Sequence, residues 1–397
     1  MNPNCGWCKK ADPVVKELVD DGYKIKTLNV QNPEDQAKAQ EVMQKHSVQC
    51  GTPLFIDSGS GNMICGFRPK ETLEIWAKGE EVPAPPQREA PNNPEAPKDA
   101  LVRLEYVWLD GMETKNLRSK TRYETMKQPK GPNPAEIIEN LPEWSFDGSS
   151  TSQATVENSD LVLRPVKLYP FMSPRQGQMP TFVVFCEVFN ADGTPHESNT
   201  RHALRSKIDE LEMHDLLVGI EQEYVFWDSS KDLPSFWESE EDGDCSKNYC
   251  GVGTENNAHR SIAEGHSMMC MSSGVDIMGY NSEVMKSQWE YQTRPHHPLK
   301  ASDDLWMSRF MLMKITEGRN LTIKFDPKPF DHLNGSGCHI NFSTKHMREE
   351  GGQDYFDSFY ESLALNHEKA ISVYGKGNEK RLTGENETSK IDEFTYG

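Results

Sequence analysis

Residues 219–226 read GIEQEYVF. The stretch begins and ends apolar, and two glutamates interrupt it at alternate positions. A strand is the element this pattern predicts, and side chains on a strand alternate faces with period two. Glu221 and Glu223 therefore point to one face. Two carboxylates side by side on a buried strand repel each other and lose hydration. Divalent cations would relieve that repulsion.

Further acidic residues sit in similarly apolar surroundings. GYNSEVMKSQWEYQ (279–292) sets Glu283 and Glu290 among Val, Met, Trp and Tyr, and HLNGSGCHINFST (332–344) sets His339 between a Gly-rich turn and a strand-like INF. RLTGENETS (381–389) holds Arg381 and Glu387 in a polar loop, and WSFDGSST (144–151) holds Asp147 in a Gly/Ser turn. Singly, a strand glutamate is usually an exposed edge residue and a lone histidine a satisfied core residue. Together, Glu221, Glu223, Glu283, Glu290 and His339 offer hard oxygen donors with one imidazole, a set suited to Mg²⁺ or Mn²⁺. Such ions commonly clamp phosphates. No GxxxxGK[ST] is present, and GVGTEN (251–256) lacks the third glycine of a dinucleotide fingerprint. A nucleotide would be held mainly through its metals.

The whole chain has 397 residues, 43 basic against 62 acidic, for a formal charge of −19. That charge argues against a nucleic-acid or anionic-membrane surface. No apolar run reaches the length of a bilayer span, and no signal peptide opens the chain. Nine scattered cysteines lead us to expect a reducing, cytoplasmic protein without structural disulfides.

Residues 80–99, EEVPAPPQREAPNNPEAPKD, hold six prolines and read as an extended spacer. Before it, NCGWCKKADPVVKELVDD places Cys5 and Cys8 as a CxxC opening a helix, where free N–H groups and the adjacent Lys9 and Lys10 favour a thiolate. A strand (KIKTLNV), a helix (PEDQAKAQEVMQKH) and the strand-like GTPLFID and ICGF follow. The order resembles the thioredoxin/glutaredoxin family over residues 1–79. By that resemblance Cys5 attacks, Cys8 resolves, Pro53 is the cis-proline facing them, and the partner is glutathione or a thioredoxin-type thiol. A zinc site or an inert remnant remains the alternative. The family carries a strand before its CxxC, whereas four residues precede Cys5 here.

Residues 101–397 resemble the class II, eukaryotic-type glutamine synthetases. The resemblance rests on YVWLDG, LPEWSFDGSST, CEVFNADGTPHESNTRH, GIEQEY, YCGVG, GYNSEVMKSQWEYQ, FDPKPF, NGSGCHINFST and RLTGENETSKIDEF, in order and with compatible spacing. It implies an α+β fold: a β-grasp domain over 100–198 and a catalytic domain with a curved antiparallel sheet over 199–397. It implies ATP-dependent ligation of ammonia to glutamate through γ-glutamyl phosphate. Glu223, Glu283 and Glu290 would hold one divalent ion, and Glu221 and His339 the second. Asn334, Gly335, His339 and Arg381 match substrate-binding positions, and Ser343 a nucleotide contact. Asp147 matches the base that deprotonates ammonium, with Tyr249, Glu283 and Glu387 completing the pocket. Members form rings, decameric in this class, with Asp147 serving the neighbour's site.

Two departures stand out. Asn386 occupies a position that is usually His. The family also continues for several dozen residues past the point matching Gly397, with a last carboxylate of the second metal site and two arginines in that tail. Two other functions stay open on this basis: a weakly active or inactive ring subunit acting as regulator, and a ligase joining glutamate to another amine.

Overall fold

The computed structural model describes residues 6–46, 53–57, 59, 62–80, 82, 100–126, 138–171, 179–239, 247–385 and 388–395. Cys5, Glu387 and nearly all of the Pro-rich stretch lie outside the described residues. The chain divides into two compact units, Met1–Ala96 and Pro97–Gly397.

The first unit is built on α1 (Gly6–Asp20), α2 (Pro33–Lys45), a two-stranded antiparallel hairpin of β1 (Leu54–Ile56) and β2 (Met63–Cys65), and α3 (Lys70–Ala77). Ala11, Val15 and Leu18 recur at helical spacing on α1 and bury against Phe55, Ile64, Leu73 and Trp76. Asn32 caps α2 by accepting hydrogen bonds from the amides of Glu34 and Asp35. Cys8 is buried on α1, and Pro53 is buried just before β1. Two expectations are corrected here. KIKTLNV is not a strand: residues 24–29 run without strand assignment, because alternation predicts extended backbone but a ladder also needs a neighbouring strand. Cys65 is disulfide-bonded; cysteine pairing follows closeness in space, which spacing along the chain does not report.

The second unit begins with a five-stranded sheet of β3 (Ala100–Leu109), β4 (Leu117–Met126), β5 (Trp144–Asp147), β6 (Asp160–Pro170) and β7 (Thr181–Asn190), in the order β4-β3-β7-β6-β5. β3 and β7 run parallel at its centre, and the other pairs are antiparallel. The second sheet, all antiparallel, is organised around β8 (Leu217–Asp228). Its other strands are β9 (Leu233–Pro234), β10 (Ile277–Ser282), β11 (Gln288–Thr293), β12 (Leu321–Lys324) and β13 (Cys338–Ser343), and β9, β11, β12 and β13 all pair with β8.

α4 (Thr200–Glu210), α5 (Arg260–Ser272) and α6 (Pro298–Thr316) pack on these sheets, and α7 (Gly352–Leu365), α8 (His367–Ile371) and α9 (Asn378–Arg381) follow. One core joins Val183 and Phe185 of β7 to Tyr224 and Phe226 of β8, and to Met307 and Met311 of α6. Buried charges are paired across the same junction. Arg201 donates to both oxygens of Asp303 at 2.8 and 3.0 Å and to Glu187 at 2.7 Å. Without such partners Asp303 and Glu187, each nearly inaccessible, would be costly to ionise.

On β8 the alternation separates two environments. Tyr224 and Phe226 enter the main core, whereas Val225 and Trp227 join Trp237 and Met285 in a smaller cluster. Glu221 and Glu223 lie on the second of these faces, as the period-two reading expects. Phe330 stacks on Trp227 and Trp237 with ring centroids 5.8 and 5.3 Å away, which fixes the FDPKPF loop beside the carboxylates.

Candidate active site

Register, set by the hydrogen-bond ladders, decides which functional groups meet. β11 puts Glu290 directly opposite Glu223, and β13 puts His339 opposite Glu221. β10 ends at Ser282, so Glu283 follows at the mouth of the same sheet. His339 Nδ1 lies 3.4 Å from Glu221 Oε2, and Asn341 Nδ2 donates to Glu221 Oε1 at 2.7 Å. Glu223 Oε2 accepts from the Gly337 amide at 3.0 Å and from Gln288 Nε2 at 2.9 Å.

Gly337 is the pivot of the site. A Cβ built there would sit 3.0 Å from Arg381 Nη2, 3.0 Å from His339 Nε2 and 3.2 Å from Glu223 Oε1. A guanidinium, an imidazole and a carboxylate therefore converge on a space that only a missing side chain leaves open. Gly335 is equally confined, between the Pro327 carbonyl and the Arg381 stem.

The carboxylates are electrostatically crowded. Burial raises the pKa of Glu223 and Glu290 pushes the same way, while the Gly337 amide, His339 and Arg381 pull it back. Glu283 is pushed up to about 8, by burial first, then by its hydrogen bond with Glu290 and the charges of Glu223 and Glu290. Each of these upward pushes is what a nearby cation would reverse. The donor chemistry suits a hard divalent ion. As the side chains stand, no group of three or more His, Cys, Asp or Glu among the described residues is spaced to hold a metal ion.

Tyr249 is exposed and belongs to the same mouth. Its hydroxyl pKa is raised by Cys250 and by the charges of Glu283 and Glu290, and the Cys250 amide bonds the Ser282 carbonyl at 3.0 Å. Arg381 closes α9, with its Nε buried and without a hydrogen-bond partner among the described residues. Asn334 and Gly335 precede β13, and Ser343 ends it, its hydroxyl accepting from Arg348 at 2.9 Å. Asp147 stands apart from this group in its contacts. It ends β5 and accepts from the Ser149 amide at 3.0 Å and from the hydroxyls of Ser149 and Ser150 at 2.6 and 3.1 Å. Those donors hold its carboxyl below the usual range, so it is anionic and exposed. Glu387 and Cys5 lie outside the described residues.

Sequence reasoning missed Gln288, Gly337 and Lys328. Gln288 shares a strand face with Glu290 and Gln292 by simple alternation, so its position was readable. Lys328 sits within the quoted FDPKPF, but nothing local marks its burial.

Comparison with known proteins identifies this arrangement. Residues 197–366 match the family "Glutamine synthetase, catalytic domain", and residues 101–191 match "Glutamine synthetase, beta-Grasp domain". The glutamine synthetase of Neurospora crassa is 41% identical over 303 residues, covering 76% of this chain and 81% of that protein. Those of Yarrowia lipolytica and Schizosaccharomyces pombe are each 42% identical, covering 76% of this chain and 80% and 81% of theirs. The chain belongs to the glutamine synthetase family. The five-stranded sheet is its β-grasp domain, and the sheet around β8 carries its catalytic domain. A cryoEM structure of Plasmodium falciparum glutamine synthetase shares the fold, with a TM-score of 0.54 over 72% of this chain and 61% of that one, at 18% identity. The first unit lies outside both family matches.

Proposed function

We infer that the chain is a glutamate–ammonia ligase, which makes glutamine from glutamate and ammonia with ATP. The observation that carries this is the convergence of Glu223, His339 and Arg381 on Gly337 in a chain about 41% identical to glutamine synthetases.

A carboxylate is a poor electrophile. The γ-carboxylate oxygen of glutamate therefore attacks the γ-phosphorus of ATP, ADP leaves, and an acyl phosphate forms. Both partners are anionic, so the step needs cationic surroundings. Glu221, Glu223, Glu283, Glu290 and His339 would hold two Mg²⁺ or Mn²⁺ ions, which offset the charge on the transferring phosphoryl group. Arg381, with Asn334 and Gly335, binds the amino-acid substrate, and Ser343 contacts the nucleotide. Tyr249, Glu283 and Glu387 form an anionic pocket that attracts ammonium. Asp147, held ionised by its hydrogen-bond donors, takes the ammonium proton, and the resulting ammonia attacks the acyl carbon and expels phosphate.

The assembly we propose is a decamer of two pentameric rings in the cytoplasm, in which Asp147 completes a neighbour's site. For the first unit we propose a dithiol role for Cys5 and Cys8 opposite Pro53, with glutathione or a thioredoxin-type partner.

The test is glutamine formation by the purified 397-residue chain with ATP, glutamate, ammonium and Mg²⁺. Asp147→Asn should lower ammonia-dependent turnover by about 10²–10⁴-fold, the usual size of a general-base effect, with ATP affinity nearly unchanged. Loss of ATP affinity in proportion to turnover would contradict the role given to Asp147, and no glutamine from the wild-type chain would contradict the function.

A further inference from the structure

Lys328 is 6% exposed, and its ammonium has no hydrogen-bond partner among the described residues. A buried cation with nothing to bind is costly, by several kcal/mol in general, and is normally paired or liganded. Burial lowers the pKa of Lys328 and Arg381 pushes the same way, while Asp331 and Glu385 only partly offset them. Arg381 carries a second donor without a partner among the described residues, its buried Nε. Two neighbouring cations, each with an unmet donor, describe a seat for an anion.

The local backbone holds that seat rigid. The carbonyl of Pro327, the residue before Lys328, accepts from the Ser336 amide at 3.1 Å. It also lies against Gly335, on which the Arg381 stem packs, and Gly377 closes on the Pro327 ring, which a Cβ would meet at 2.6 Å. On the other side Phe330 is clamped between Trp227 and Trp237. Lys328 is thus fixed between the Gly335 turn and α9, where a substrate carboxylate reaching Arg381 would arrive.

We propose that Lys328 is a second cationic anchor, beside Arg381, for a carboxylate of the bound amino-acid substrate. This rests on the ligase reading for the identity of that substrate. A charge-assisted hydrogen bond from Lys328 would neutralise both the orphan ammonium and part of the ligand's charge, and it would help hold the other end of glutamate at the phosphoryl group.

The experiment is calorimetric titration of glutamate, and separately of ATP, into the full chain with Mg²⁺, for wild type, Lys328→Met and Lys328→Gln. Lys328→Met should weaken glutamate binding by about 10–100-fold, the usual loss for a hydrogen bond to a charged group, with ATP affinity within about threefold. Its Tm should hold or rise, because an unpaired buried charge is gone. Lys328→Gln, which keeps a donor, should recover part of the loss. Unchanged glutamate affinity in both variants, with or without a lower Tm, marks a structural lysine and overturns the proposal. Losses confined to ATP assign the anchor to a phosphate and overturn it too, as does a wild-type chain that binds no glutamate. A wild type that binds glutamate in a Lys328-dependent way but makes no glutamine would sink the ligase reading and leave the anchor standing.

Discussion

Glu283, Glu223 and Glu290 crowd negative charge into one half-buried corner, and the proton is the counterion at hand. Glu283 therefore keeps its proton up to about pH 8 in the folded chain, whereas in the unfolded chain it ionises near 4.5. Between those values the folded state binds more protons, so its stability falls as pH rises across that window. We expect the Tm of the metal-free chain to decline between about pH 5 and 8. Mg²⁺ should flatten that decline, because a cation favours the ionised pocket. Scanning calorimetry at a series of pH values, with and without Mg²⁺, reads both effects; a metal-free Tm that rises over this range, or a slope indifferent to Mg²⁺, would contradict the crowding. Single residues were partly legible. Alternation alone put Glu221 and Glu223 on one face, and WSFDGSST put Asp147 in a Gly/Ser turn, but the hydrogen bonds that hold its carboxylate came only with the structure. Lys328 was not legible, because Gly335 and Gly377 meet the adjacent Pro327, and Arg381 packs on Gly335, only in the fold.

At the scale of elements, β8 does the positioning. It supplies Glu221 and Glu223, β11 supplies Glu290, and β13 supplies His339, each at a register set by hydrogen bonds between segments far apart in sequence. The strands themselves could be anticipated from GIEQEYVF, QWEYQ and HINF. Their partners could not, since register is a non-local property. KIKTLNV shows the converse failure, in which alternating side chains gave no strand. The β13 turn offers the sharpest test at this scale. Gly337→Ala would press a methyl against Arg381, His339 and Glu223 at 3.0–3.2 Å, so those groups must move by a few tenths of an ångström. We expect kcat/KM to fall by as much as about 10²-fold, the penalty typical of small misplacements in a site, while circular dichroism and Tm stay near wild type. Activity equal to wild type would show that the convergence on Gly337 is not functional.

For the molecule as a whole, the formal charge of −19 argues against a nucleic-acid surface, and among the described residues no helix is long and apolar enough to cross a membrane. The division at Ala96 falls inside the Pro-rich stretch that composition marked as a spacer. Asp147 raises the question of assembly, because it accepts hydrogen bonds from Ser149 and Ser150 of its own turn while the ring we propose sets it in a neighbour's site. Subunit mixing decides the matter. Asp147→Asn and Glu223→Ala chains should each be nearly inactive alone. Dissociated and reassembled together in equal amounts, they should regain about a quarter of wild-type activity, since half the sites keep Glu223 and half of their neighbours keep Asp147 in a closed ring. No regain on mixing would confine Asp147 to its own subunit or remove it from the reaction.

If glutamate is activated here as γ-glutamyl phosphate, an oxygen of its γ-carboxylate must leave with the phosphate. With glutamate labelled by ¹⁸O in its γ-carboxylate, plus ATP, ammonium and Mg²⁺, the full chain should release inorganic phosphate carrying one ¹⁸O for each glutamine formed, and Glu223→Ala should release almost none. Glutamine formed with unlabelled phosphate, or labelled phosphate released equally by Glu223→Ala, would contradict the account.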